Sequence, residues 1–131
     1  MADALKAKLG IAEALLVSIV PENALLFSVE PVENTQLQRF DLRAEADFVD
    51  ALSDEELTAA VAHELGHMWI FTHRPYLQTE QGANDIAMRV VSRDALVQLY
   101  DKVWKKKGTT GDLAKLLGPQ QTTAGLATVA P

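Results

Sequence analysis

The sequence contains no cysteine among its 131 residues, few aromatic residues (6%) and no excess of basic residues. Without cysteine there can be no disulfide, no thiolate metal ligand and no cysteine nucleophile. Acidic residues outnumber basic ones by 18 to 12, and the formal net charge is -6. Because phosphate groups are bound by basic faces, this balance argues against nucleic acid or an anionic membrane surface as the main partner.

Long apolar runs are also lacking. No run approaches the roughly 18 residues that a membrane-spanning helix needs, so we expect no transmembrane segment in this chain. The N-terminus has no basic stretch followed by an apolar stretch and a cleavage site. The lack of cysteine slightly favours a cytoplasmic location, and a periplasmic or secreted one stays open if a targeting segment was removed. Nothing in the sequence indicates an oligomeric state.

The composition is that of one globular domain. Hydrophobic residues make up 48% of the chain and charged residues 23%, an ordinary globular mixture. We expect a single domain over residues 1–118, because a chain of this length builds one core. The end of the chain, "PQQTTAGLATVAP" at 119–131, is small, polar and uncharged, and we expect a flexible tail there.

The first third of the chain predicts a short helix followed by strands. Helix formers before Gly10 predict a helix at about 2–9. The apolar stretches "EALLVSIV" and "NALLFSVEPV" predict two strands that could form a hairpin, although the first could instead prolong the helix. A polar turn at "ENTQ", a strand at Leu37–Leu42 and a short extended piece at Phe48–Leu52 follow.

The remainder predicts helices. Ser53 with Glu56 three residues later forms a capping box, and apolar residues recur at helical spacing to predict a helix from about 54 to 71. A second long amphipathic helix is expected from near Thr79 through "KVWKK", with a short last helix in "TTGDLAKLLG". Strands followed by helices indicate the α+β class, with an antiparallel or mixed sheet packed on the helices.

The stretch "AAVAHELGHMWIFTHRP" at 59–75 holds all three histidines of the chain. His63 and His67 are four residues apart, so on a helix their imidazoles project from one face, one turn apart. Two neutral imidazoles in that arrangement can bind a tetrahedral Zn²⁺ ion. Glu64 lies about 100° around the helix, where it can act as the general base and acid on a metal-activated water.

The pattern HExxH also arises by chance, on helices whose histidines bind nothing. Its position within a well-capped helix favours the metal site. Gly66 costs about 1 kcal/mol relative to alanine in a helix interior, which indicates a close approach by another element.

The third ligand has two candidate sources. His73 has the spacing HExxHxxxxxH, but reaching the metal would require a sharp turn at Ile70, a β-branched residue that rarely adopts a positive φ. A polar histidine at the C-terminal end of the helix is the better interpretation of His73. A weaker alternative is that His73 lines the cleft and donates to a substrate oxygen.

The other source is "TEQGANDIAM" at the start of the second long helix. Glu80 could complete a His₂Glu zinc site and leave the fourth position for water. Asn84, one turn later, could orient a ligand histidine through that ring's second nitrogen. Asp85 is the fallback ligand, and Glu80 could also be only a favourable residue in the first helical turn.

These motifs resemble a known family. "LSDEELTAAVAHELGH" followed by "EQGAND" is similar to the gluzincin metallopeptidases, above all to the soluble minigluzincins and the catalytic core of CAAX-prenyl-type endopeptidases. The resemblance covers roughly residues 8–95 and implies a zincin-like fold with a small sheet on an active-site helix and a second long helix. It also implies that Glu80 is the third zinc ligand. Asn84 departs from the aspartate that is common at its position.

The leading hypothesis is therefore a zinc-dependent endopeptidase with Zn²⁺ as cofactor and a peptide or protein as substrate. The substrate would lie extended along an exposed sheet edge, for which the strand Leu37–Leu42 is the candidate. The alternative is a peptidase-like regulatory or binding module that keeps the zinc site but has little activity. A purely structural α+β domain with a chance HExxH is the third option.

Overall fold

The fold is α+β, with a three-stranded mixed sheet packed against helices, as the sequence predicts. A computed structural model describes residues 1–32 and 39–118. The elements in chain order are α1 Ala2–Leu9, β1 Ala14–Val20, β2 Phe27–Val32, β3 Arg39–Glu45, α2 Ala46–Asp50, α3 Asp54–His73, a 3₁₀ turn Pro75–Leu77, α4 Glu80–Ala87, α5 Arg93–Lys107 and α6 Leu113–Leu117. The predicted turn at "ENTQ" and the predicted tail lie outside the described residues.

The sheet has the strand order β1-β3-β2. β3 pairs in parallel with β1 and antiparallel with β2, so the predicted hairpin between the first two strands is wrong. Pro31 has no N–H to donate, which suits β2 to an edge of the sheet. β3 carries the most buried face, with Phe40 and Leu42 each at most 1% exposed, and it takes the centre.

The central position of β3 also shows that the prediction of the strand exposed for substrate binding is wrong. The strand predicted at Leu37–Leu42 corresponds to β3, which has a neighbour on each side and offers no free edge. The two outer strands of the described sheet are β1 and β2. A peptide that added to this sheet would have to pair with one of those.

Asn23 closes the connection from β1 to β2. Its side-chain amide donates to the Arg43 carbonyl at 3.0 Å and to the Ser28 hydroxyl at 3.1 Å. Leu26 ends the connection with a φ of 67°, a left-handed conformation that costs a leucine about 1–2 kcal/mol. Its carbonyl accepts a hydrogen bond from the Glu45 N–H, which fixes the alignment of β2 on β3.

The prediction of a short extended piece at Phe48–Leu52 is wrong. Residues Ala46–Asp50 form the short helix α2 instead. Phe48 is 1% exposed and packs edge-on against Phe27, with ring centroids 5.9 Å apart. A single helical turn is too short to show a period in sequence, and burial of one aromatic ring decides its conformation.

The second long helix predicted from Thr79 is two helices. α4 ends at Ala87, and α5 begins at Arg93 after Ser92, whose hydroxyl accepts from the Ala95 N–H at 3.1 Å. That cap supplies a new helix start where the amphipathic pattern looked continuous. As a result α4 and α5 can both pack against α3.

Helix α3 is the centre of the molecule. It packs against α1, α4, α5 and β2. Five of its residues are at most 2% exposed, and they are Ala59, Ala60, Ala62, Leu65 and Met68. The predicted capping box is present, with the Glu56 N–H bonding to the Ser53 hydroxyl at 3.1 Å and the Ser53 N–H to the Glu56 carboxylate at 2.8 Å. The helix runs through Ile70 to His73 without a turn.

Candidate metal centre

The two histidines of the HExxH pattern lie side by side on α3. Their ring centroids are 4.8 Å apart, and the rings are nearly perpendicular. His63 is 8% exposed, whereas the side chain of His67 is 20% exposed. The four-residue spacing therefore gives the geometry expected of it, one imidazole in the interior and one nearer to solvent.

Helix α4 approaches α3 very closely at Gly66. A Cβ placed on Gly66 would lie 2.2 Å from the carbonyl oxygen of Ala83, a backbone atom that cannot move aside cheaply. Ala83 is itself fully buried. The close approach explains why glycine stands in the interior of α3, and it brings the first turn of α4 next to the histidines.

Glu80, the first residue of α4, lies between the two imidazoles. Its Oε1 is 3.2 Å from His63 Nε2, and its Oε2 is 2.8 Å from His67 Nε2. One ligand atom from each of the three residues lies within 4.8 Å of the others. Donor atoms on a tetrahedral zinc ion are about 3.3 Å apart, given metal–nitrogen distances near 2.05 Å. The two nitrogen–oxygen separations of 3.2 and 2.8 Å are close to that value, so these residues could hold one ion.

The outer nitrogens of both rings are held by side-chain amides. Asn84 Oδ1 lies 2.7 Å from His63 Nδ1, and Gln78 Oε1 lies 2.8 Å from His67 Nδ1. The Asn84 nitrogen donates to the Leu116 carbonyl, and the Gln78 nitrogen donates to the His67 carbonyl. A carbonyl can only accept, which fixes each amide's orientation, so each Nδ1 must be the donor.

It follows that both neutral rings carry their proton on Nδ1 and leave the Nε2 lone pair free. Both Nε2 atoms face the Glu80 carboxylate. Neutral imidazole is the form that binds metal ions, and a fixed Nδ1–H is what orients a ligand ring. The chemistry of the donor set, two imidazole nitrogens and a carboxylate, fits Zn²⁺.

Without an ion, the same atoms attract protons. Burial is the largest influence on the pKa of His67 and lowers it. The hydrogen bonds to Glu80 and Gln78 and the charges of Glu80 and Glu64 together outweigh burial and raise the pKa of His67 to about 9. Burial is also the largest influence on the pKa of His63 and lowers it. The hydrogen bond to Glu80, the charge of Glu64 and the hydrogen bond to Asn84 together raise the pKa of His63. The hydrogen bonds from His63 and His67 in turn lower the pKa of Glu80 well below its usual value.

Glu64 is buried beside the cluster, with 7% of its surface exposed. Its Oε2 lies 3.7 Å from His63 Nε2. Burial raises the pKa of Glu64, although the two histidines oppose this. A carboxylate with a raised pKa next to a metal-binding donor set is suited to accept and return a proton near neutral pH.

A cleft of about 550 Å³ opens onto these side chains. Residues of β2 line one side, and Leu99, Tyr100 and Val103 of α5 line the other. The Tyr100 hydroxyl accepts a hydrogen bond from Asn84 Nδ2 at 2.9 Å, which leaves its own hydrogen free to point elsewhere. Burial raises the pKa of Tyr100 to about 12, so the hydroxyl keeps that hydrogen at neutral pH.

His73 and Asp85 lie outside this cluster. The His73 ring stacks on Trp69 with centroids 3.9 Å apart, and its Nδ1 lies 2.8 Å from the Trp69 carbonyl oxygen. Both His73 and Asp85 are exposed. His73 does not line the cleft described above, so its suggested role as a donor to substrate has no support there.

Sequence reasoning missed Gln78 and Tyr100. A glutamine in a connection has no distinctive pattern, and a tyrosine on an amphipathic helix usually belongs to the core. The sequence did hold one indication for Tyr100, because Tyr100 lies on the same predicted helix as Asn84. No signal in the sequence distinguishes Gln78 from any other exposed glutamine.

No protein-family model and no curated protein matches this sequence. Among solved structures, the fold is similar to that of a metallopeptidase in its zymogen form. That protein is abylysin from Pyrococcus abyssi, with a TM-score of 0.57 and 16% sequence identity over 85% of this chain and 95% of that one. The likeness shows a metallopeptidase-like fold. None of the helices in the described residues combines the length and apolar character of a bilayer-spanning segment.

Proposed function

We propose that the protein is a zinc-dependent metallopeptidase of the gluzincin type. In this proposal His63, His67 and Glu80 hold the metal, and Glu64 is the general base. The observation that carries it is the meeting of two Nε2 lone pairs and one carboxylate within 4.8 Å, beside a buried glutamate at a cleft. The fold similarity to a metallopeptidase zymogen supports the proposal at the level of fold.

In this proposal each residue of the site has a separate role in hydrolysis. When bound, zinc would supply Lewis-acid polarisation of the scissile carbonyl and lower the pKa of a water molecule. Glu64 accepts the proton of the attacking water and returns it to the leaving amine. Asn84 holds the His63 ring in the required tautomer. Tyr100, whose hydroxyl hydrogen is free, donates to the developing oxyanion of the substrate.

The peptide is proposed to lie along β2. Leu26 bonds to Glu45 of β3, and alternate residues of an antiparallel strand point the same way, so the N–H and C=O of Val29 point away from β3. Val29 also lines the cleft. Pro31 has no N–H to offer, so pairing of an extended peptide with β2 would centre on Val29.

Cleavage of casein and of a peptide library by the zinc-loaded protein tests this function. Glu64→Gln keeps the shape of the side chain but cannot accept a proton, and we expect turnover to fall about 10²- to 10⁴-fold. Glu55→Gln is the matched control, since Glu55 is exposed in the first turn of the same helix. It should cleave like the wild type, and Tyr100→Phe should retain zinc while losing turnover.

Two results would contradict the proposal. Equal cleavage by the wild type and Glu64→Gln would remove the glutamate from the chemistry. Equal inertness of both across many peptides, with zinc bound, would favour the regulatory or binding module instead.

A further inference from the structure

Gln78 lies in the connection between α3 and α4 and is exposed, yet His67 contacts both the oxygen and the nitrogen of its side-chain amide. Its Oε1 accepts from His67 Nδ1 at 2.8 Å, and its Nε2 donates to the backbone carbonyl of His67 at 2.7 Å. The two residues are eleven positions apart. An exposed glutamine normally exchanges such bonds with water, so this double contact is specific to the folded connection.

The double contact fixes the orientation of the His67 ring and keeps a proton on its Nδ1. The bond to the carbonyl determines which end of the amide faces the ring, and the ring must then donate from Nδ1. A ring that was free to flip or change tautomer would place a proton on Nε2 for part of the time. A protonated Nε2 cannot bind a metal ion.

The same short segment also supplies Glu80, two residues later. Gln78 contacts the Nδ1 side of the His67 ring, and Glu80 contacts its Nε2 side at 2.8 Å. The ring is therefore held between two side chains of residues 78–80. Orientation of His67 and placement of Glu80 depend on one another through this segment.

Both ligand histidines are oriented by neutral amides and not by carboxylates. With Glu64 and Glu80 ionised, a divalent ion brings the sum of charges at the site to zero. A carboxylate at position 78 would add a further negative charge, which favours the metal but disturbs that balance.

We propose that Gln78 is the residue that positions His67 for metal binding, by holding its ring in the Nδ1–H form from the connection that carries Glu80. This inference rests on the proposed function, because it assigns His67 to the metal. It adds a residue that neither the HExxH pattern nor the downstream motif contains.

The test compares the wild type with Gln78→Ala, Gln78→Glu and the control Gln98→Ala, an exposed glutamine on α5. The zinc dissociation constant is measured by competition with a chromophoric chelator. We expect Gln78→Ala to bind zinc about 10- to 100-fold more weakly. Gln78→Glu keeps an acceptor for Nδ1–H, so it should bind at least as tightly as the wild type, and Gln98→Ala should be unchanged.

A second readout needs no metal. Nitrogen-15 and proton spectra of the His67 ring in the metal-free protein report whether the proton on Nδ1 is held in a hydrogen bond. The wild type should show an Nδ1–H signal that exchanges slowly with water, and Gln78→Ala should lose that protection. If the wild type failed to bind zinc, the proposed function would fail while the ring spectra still decided the role of Gln78.

Two outcomes would overturn the inference. One is a Gln78→Ala variant that matches the wild type in both readouts. The other is weaker zinc binding with unchanged protection of the Nδ1–H, which would make Gln78 a purely structural residue.

Discussion

At the scale of single residues, the site depends on one carboxylate shared between two rings. Glu80 Oε1 and Oε2 each contact one imidazole, so metal and protons compete for the same atoms. HExxH spacing alone was enough to predict that His63 and His67 share a face, because helix geometry is local. The role of Gln78 could not be predicted, since it depends on how the connection folds back on α3.

This competition predicts a pH dependence of the metal-free protein. The folded-state pKa of His67 is raised from 6.5 to about 9, so its stabilising contribution is complete below 6.5. That contribution is lost as the pH rises toward 9, and the free energy of unfolding should fall across this window. Glu80 acts with the opposite sign, because its lowered pKa contributes stability above 4.5 that is lost in acid.

Urea unfolding of metal-free protein between pH 5 and pH 10 measures this effect. Glu80→Gln removes the partner of both rings, and its stability should no longer fall between 6.5 and 9. A wild-type curve that is flat over that range would contradict the ion-pair geometry. Saturating zinc should also remove the alkaline loss, since the ion takes the place of the proton on Nε2.

At the scale of elements, the site exists because α3 and α4 touch at the backbone. Gly66 allows Ala83 to approach, and α4 then presents Glu80 and Asn84 to the histidines. The sequence predicted α1, α3 and the caps well, because caps and helical periods are local signals. It missed the break before Ser92 and the central position of β3, because strand order and helix breaks depend on tertiary packing.

The contact at Gly66 gives a prediction about stability. In an open helix, Gly→Ala stabilises by about 1 kcal/mol. Here the added methyl group would lie 2.2 Å from the Ala83 carbonyl oxygen, so Gly66→Ala should destabilise the protein by about 1–3 kcal/mol. It should also weaken zinc binding by displacing α4.

Chemical denaturation with a zinc titration measures both effects. A Gly66→Ala variant more stable than the wild type, with unchanged zinc affinity, would show that α4 does not lie against α3 as described.

At the scale of the whole molecule, the residues of the site come from one helix and the elements that pack on it. α3 supplies two imidazoles and a glutamate, residues 78–84 supply a carboxylate and two amides, and α5 supplies Tyr100. The overall fold is similar to that of abylysin, with a TM-score of 0.57 at 16% identity. The resemblance at HExxH and "EQGAND" predicted which residues to examine, whereas the cleft along β2 required the structure.

The measurement that tests the central claim most directly is the zinc content of purified protein, determined by mass spectrometry for the wild type, Glu80→Ala and the matched control His73→Ala. The account predicts about one zinc per chain for the wild type and His73→Ala, and less than about a tenth for Glu80→Ala. Full zinc in Glu80→Ala together with its loss from His73→Ala would contradict the account.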